Sequence, residues 1–316
     1  MPNKVTSITL TATIPTAQYA NLQPSITVEV DDDVEGAKKT ALEHIVGISQ
    51  KYAEEGRELE AKSPMPVELE KVESPMTGGV AYKDQWHHFW TADGRRYLSA
   101  SRFASKFVEP FPAHFILPKM AKAYGGTEEL HQAIWSLKGD VSTLFGKAVH
   151  AGIELYGRHH EMGAKTGAKE GINKALTDQP HIKKIVEDFF NGDDVHKPGF
   201  DSRRINEDAE YEVQIIDEKN ARIAEVDRVK FVNREKKIIR IQDYKTNFDV
   251  LAKEKMLAPF EAMPANQLSK YWLQLSFEAE IAKEAGYIVQ GLDIFHLTVD
   301  GWVTYSSEVI DIKEAL

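Results

Sequence analysis

The 316-residue chain contains no cysteine. That absence removes disulfides, thiolate zinc sites, cysteine nucleophiles and cysteine-held iron–sulfur clusters together, so any metal must sit on oxygen or imidazole. No apolar run approaches the roughly 20 residues that a membrane helix requires, and no membrane partner is expected. The opening residues, MPNKVTSITLTATIP, lack a cationic segment followed by an apolar one, so the chain is expected in the cytoplasm. A basic excess is missing too. Lys and Arg number 39 against 49 for Asp and Glu, and the resulting formal charge of −10 opposes non-specific attraction to nucleic acid. Contact with DNA would therefore need local basic patches. Internal repeats and low-complexity tracts are absent as well. What remains is an ordinary globular composition, 42% hydrophobic and 28% charged, in a chain longer than one average domain of roughly 100–200 residues.

Residues 7–14 and 25–30 alternate apolar and polar side chains and read as a hairpin. From Val34 to about Glu60, Ala37, Ala41, Ile45, Ile48 and Tyr52 recur at helical spacing. Residues 1–62 thus form a small α+β appendage, a hairpin plus a helix. Residues 63–79 carry three prolines and two glycines and read as a linker to a main domain over 80–316. In that domain, 127–138, 140–157 and 179–191 have helical periodicity. Period two then takes over in 209–216, 221–232 and 236–246, three antiparallel strands joined by DEKN and NRE. A helix near 265–285 and two final strands follow. The order indicates an α/β fold with a mixed central sheet flanked by helices.

Strand alternation puts Ile241, Asp243 and Lys245 on one face, so an acid and an ammonium share the end of an apolar strand. The acid-x-Lys pattern recurs at Glu60/Lys62, Asp217/Lys219, Glu235/Lys237 and Asp311/Lys313, but in polar surroundings or near the chain end. Charges at an apolar strand end are costly unless paired or bound to metal, and this singles out Asp243 and Lys245. Asp227 ends a partly apolar run on the preceding strand. A hairpin over NRE brings it near Asp243, and two carboxylates so placed repel unless a cation lies between them. Oxygen ligands favour Mg²⁺ or Mn²⁺, beside which Lys245 would orient or deprotonate a water, or stabilise charge on a phosphate. On the helix LFGKAVHAGIELYG, Gly146, His150 and Glu154 follow at i+4 spacing on one face. Gln267, Tyr271, Gln274 and Glu278 form a polar stripe on the later helix, opposite Leu268, Trp272, Leu275 and Ala279.

In order, GKAVHAGIE, AEVDRV, IQDYKT and YWLQLSFEAEIA resemble the PD-(D/E)XK nuclease superfamily, in particular its RecB-like and phage exonuclease branch. The resemblance spans about 97–300 and includes YLSASRFASKFVEPF. It implies a restriction-endonuclease-like core and a divalent-cation-dependent phosphodiesterase acting on DNA, in phage-type recombination, repair or degradation. It assigns the metal ligands to His150, Asp227 and Asp243, and the acid-x-Lys pair to Asp243 and Lys245. The family's helix glutamine falls on Gln274, with Glu154, Gln267 and Tyr271 as supporting or substrate-facing residues. Two positions depart from the family pattern: Glu278 stands where tyrosine is expected, and Glu225 where glycine is common. The competing expectation, from a different class, is a DNA- or protein-binding module that keeps the fold without cleaving, with a protein partner on residues 1–62. Relatives act alone, as rings or fused to helicases, so an oligomer is compatible with either.

Overall fold

Period-two alternation becomes strands where the sequence leads one to expect them. A computed structural model describes residues 7–11, 14–17, 20–22, 25–29, 69–84, 88–159, 176–192, 194–195 and 204–316. The chain divides into two compact units, Met1–Val67 and Glu68–Leu316. In the first, β1 (Ser7–Thr11) pairs antiparallel with β4 (Ser25–Glu29), with a smaller hairpin of β2 (Ile14–Ala17) and β3 (Ala20–Leu22) between them in sequence. The helix expected over 34–60 lies outside the described residues.

The second unit opens with a correction. Residues 70–73, expected within a linker, form β5 (Glu70–Glu73), which pairs with β6 (Val80–Lys83), itself paired with β7 (Phe89–Trp90). The residues between β5 and β6, with Pro75, Gly78 and Gly79, are the turn of this small sheet, and Pro64 and Pro66 lie outside the described residues. Ser74 Oγ donates to the Gln214 carbonyl and accepts from the Thr77 N–H. Gly79 sits so close to Ile216 that a Cβ would fall 2.7 Å from its carbonyl oxygen, which excludes larger residues there.

The main sheet is built from β8 (Leu98–Ser99), β9 (Ala209–Asp217), β10 (Arg222–Asn233), β11 (Ile238–Lys245), β12 (Ile288–Thr298) and β13 (Gly301–Ser307). Its order is β13-β12-β11-β10-β8, with β9 also on β10. The β11–β12 and β10–β8 pairs are parallel and the others antiparallel, so the sheet is mixed. Helices cover both faces. On one, α1 (Ala100–Ser105) contributes Phe103 to a core with Val226, Val229, Ile241 and Ile294. A short helix, α2 (Ala113–Tyr124), leads into the long α3 (Glu128–His159). On the other face, Val149 and Ile153 of α3 meet Val186 and Phe189 of α4 (Pro180–Asn191) over Tyr244, Phe295 and Trp302. The crossover helix α5 (Gln267–Glu284), between β11 and β12, returns to the first face and packs Leu273, Leu275, Phe277 and Ile281 beside Phe103.

Two helical segments expected at 127–138 and 140–157 are one helix, because Gly139 costs a helix interior only about 1 kcal/mol. No described helix is long and apolar enough to cross a membrane.

On β12, the buried Asp293 accepts from Arg240 Nε at 2.8 Å, Gln242 Nε2 at 2.8 Å and Ser306 Oγ at 2.7 Å. Burial works to raise its carboxyl, and the hydrogen bonds from Arg240 and Gln242 outweigh this and hold it below the usual range. Asp293→Ala leaves Arg240 without its partner and should cost roughly 3–5 kcal/mol in urea unfolding at neutral pH. A lowered carboxyl stabilises the fold above the unfolded value and ceases to do so as pH falls through the folded one. The variant should therefore lose less stability than wild type on acidification, and equal losses would refute this role.

Candidate metal centre

The site forms where β10 and β11 part. Their ladder ends at Arg228 opposite Gln242, and beyond it the Asp227 side chain takes over: its Oδ2 accepts the Tyr244 N–H at 2.9 Å. A backbone donor that the departing strand would orphan is thus satisfied by a carboxylate, which is held in one orientation. On the other side of β10, the β9 register pairs Val226 with Val213 and Arg228 with Tyr211. Counting between these pairs sets Glu212 opposite Asp227. Glu212 has φ 48°, a left-handed conformation unusual for a non-glycine residue and of the kind that clusters at functional sites.

The third side chain comes from α3. A Cβ on Gly146 would fall 2.8 Å from Thr246 Oγ1, so glycine lets the helix lie against the end of β11. One turn on, His150 Nδ1 lies 3.5 Å from Asp227 Oδ2. Ligand atoms of His150, Glu212 and Asp227 all lie within 4.8 Å of one another, and the three side chains are half-buried. They line an open cleft of about 720 Å³ together with Ser142, Lys147, Glu154, Lys245 and Tyr271. Asp243 is buried beside them, its Oδ2 2.6 Å from Lys245 Nζ, and that ammonium stands 4.6 Å over the Tyr271 ring.

Excess negative charge governs the electrostatics. Burial, then the charge of Asp243, raises the Asp227 carboxyl well above its ordinary value, against the Lys245 ammonium and the Tyr244 N–H. Burial, Asp227 and Glu225 push Glu212 up to about 9. Burial pulls the His150 imidazolium down despite Asp243, so the ring is neutral and offers a lone pair. Lys245 behaves in the opposite way, since Asp243 and Asp227 outweigh its burial and raise it. The cluster thus holds its protons tightly, and a divalent cation is the other way to neutralise it.

Four of the expected residues, His150, Asp227, Asp243 and Lys245, come together. Within the ligand triad, however, Glu212 stands where Asp243 was expected, because Asp243 is drawn to Lys245. Glu154 lies on the cleft wall with its carboxylate 3.1 Å from Arg158. On α5 the cleft wall carries Tyr271, not the Gln274 expected there. Gln267 and Tyr271, expected as supporting or substrate-facing residues, adjoin the cleft: Tyr271 lines it, and Gln267 Oε1 accepts from Asn247 Nδ2 at 2.9 Å. Gln274 donates to Glu278 at 3.3 Å and is not on the cleft wall; the Glu278 carboxyl is buried, and burial and Asp243 raise it well above its usual range. Glu212 escaped the sequence reading because AEYEVQII looks like a half-solvated strand. The DEKN turn held the signal, since pairing Asp217 with Arg222 counts out to Glu212 opposite Asp227.

One imidazole and two carboxylates fit Mn²⁺ or Mg²⁺, the imidazole inclining the set toward Mn²⁺. Comparison with family models, with curated proteins and with solved structures found no match.

Calorimetric titration with Mn²⁺ should show binding that Glu212→Gln and His150→Ala each weaken by about tenfold or more, the scale on which even outer-shell losses act. Unchanged affinity in both variants would remove them from the ligand set. A carboxyl raised from its unfolded value to about 9 leaves full stability below the unfolded pKa and withdraws it as pH climbs toward 9. Metal-free protein should therefore lose thermal stability from about pH 5 to 9. Glu212→Gln and added Mn²⁺ should each flatten that loss.

Proposed function

We propose that the chain is a metal-dependent DNA nuclease of the PD-(D/E)XK type, with a restriction-endonuclease-like core in its second unit and an exonuclease-like mode of action. The observation that carries this reading is the pairing of Asp243 with Lys245 at a strand end, directly beside the His150, Glu212 and Asp227 cluster and open to a cleft. A resident Mg²⁺ or Mn²⁺, held by His150, Glu212 and Asp227 with Asp243 beside them, would supply Lewis-acid stabilisation and an acidified water.

The protein's own groups then divide the work. Lys245 is kept charged by two carboxylates, so it serves as a fixed cation that stabilises charge developing on the phosphate and orients the attacking water, rather than as a base. The Tyr271 ring under its ammonium limits where Nζ can go, and Gln267 and Asn247 brace that wall. His150, neutral and packed edge-on to Tyr244, holds its ring orientation without adding charge. The fixed positive charge that this acidic chain offers a phosphodiester backbone in the cleft is Lys245, with Lys147 at the border of the α3 wall.

Labelled linear DNA with Mn²⁺ or Mg²⁺ should be degraded, and EDTA should stop it. Asp243→Ala and Lys245→Ala should each lower the rate by roughly 10²–10³-fold or more, the cost of removing one preorganised charge from a transition state. Asp311→Ala, at an exposed acid-x-Lys pair, should act like wild type. Closed circular DNA should survive if cleavage starts at ends. Full activity in folded Asp243→Ala, or DNA retained without product, would overturn the reading in favour of a binding module.

A second comparison tests the α5 wall. Gln267→Ala and Tyr271→Ala should slow cleavage more than Gln274→Ala, because only the first two lie at the Lys245 side of the cleft. The reverse order would show that Gln274 reaches substrate.

A further inference from the structure

The most prominent unexplained feature of the second unit is the outer side of α3. Leu130, Ile134, Leu137, Val141, Leu144, Ala148, Ala151 and Leu155 follow one another at spacings of 4, 3, 4, 3, 4, 3 and 4. This is an unbroken a/d heptad row of more than three repeats. Every member is solvent-exposed, including Leu137 at 65%, Val141 at 58% and Leu144 at 68%. Gly139, Thr143, Gly146 and His150 line the cleft from the other side of the helix, while Lys147 and Ala151 stand at the border between the two sides and line the cleft as well. A globular protein does not leave an apolar row about 39 Å long in water without a use for it.

We infer that α3 pairs with the α3 of a second copy of this chain, antiparallel, forming a two-fold dimer whose seam runs along the border of each cleft. Three observations select this occupant. The row is apolar along its whole length, so it is complementary to itself, as a two-fold interface requires. The six larger side chains expose of order 600 Å² per copy, or about 1,200 Å² per pair, which reaches the range of specific interfaces. The third is charge. With Val141 layered against Leu144 of the partner subunit, the antiparallel register stacks the row end to end. It then sets Asp140 across from the partner's Lys147, and by symmetry Lys147 across from the partner's Asp140, at positions flanking the core. Neither residue has an ion-pair partner among the described residues. A parallel pair gains no such contact: Asp140 would face Phe145, and Lys147 would face Gly152.

Sedimentation equilibrium over a series reaching about 100 µM, the scale on which modest helix pairs assemble, should show the mass rising from 35.6 kDa to twice that. Val141→Asp and Leu144→Asp should be monomeric with unchanged circular dichroism, since both side chains are already exposed. Asp140→Lys should weaken the dimer several-fold, and Lys147→Asp added to it should restore the affinity. The chain has no cysteine, so introduced thiols report orientation cleanly. Leu130→Cys mixed with Leu155→Cys should form a crossed disulfide dimer, and neither should cross-link alone. A wild type monomeric throughout, a dimer surviving both aspartate variants, or Leu130→Cys linking to itself would overturn the inference. None of these readouts depends on nuclease activity.

Discussion

One hydrogen bond organises the site: the Asp227 carboxylate on the Tyr244 N–H, at the point where β10 and β11 separate. A sheet that stayed zipped would turn Asp227 into an ordinary cross-strand residue. Because it opens there, a carboxylate replaces a ladder carbonyl, and the residues on either side of Tyr244 are left at the mouth of the gap. Those residues are Asp243 and Lys245. The strand on the far side of β10 answers with Glu212 in a left-handed conformation, and α3 closes over the gap because Gly146 lets it come near.

The consequence is a crowded set of acids whose repulsion has only three remedies: protons, Lys245 or an added cation. Lys245 meets the need of Asp243. Glu212 and Asp227 keep their protons to unusually high pH, and a neutral imidazole stands beside them. Burying like charges in this way costs stability, and a metal entering there would displace the protons and return part of that cost. The left-handed backbone at Glu212 and the raised carboxyls of the cluster thus meet at one place, which a bound divalent ion would neutralise.

Much of this was legible in the sequence because short turns fix register. DEKN and NRE force β9, β10 and β11 into consecutive hairpins, so the closeness of Asp227 to Asp243 follows by counting. That His150 and Glu154 share one face of α3 followed from helical spacing. Glu212 did not, since a glutamate alternating with tyrosine and valine has the pattern of a solvated strand face. The α5 stripe misled for a different reason. That helix is buried on nearly every side, including Glu278, so polarity no longer marks which face meets solvent and which meets the site. Residues 70–79 show a third limit: prolines and glycines mark a turn or a linker equally well, and only the tether from Ser74 to β9 distinguishes them.

The central claim is that His150, Glu212 and Asp227 hold a divalent cation. Crystals grown with Mn²⁺ and measured for anomalous scattering test it most directly. The account predicts a single strong peak at about 2.0–2.3 Å from one nitrogen of His150 and from carboxylate oxygens of Glu212 and Asp227, the distances expected for such ligands. A map with no peak among these three residues, or with manganese bound only elsewhere, would contradict it.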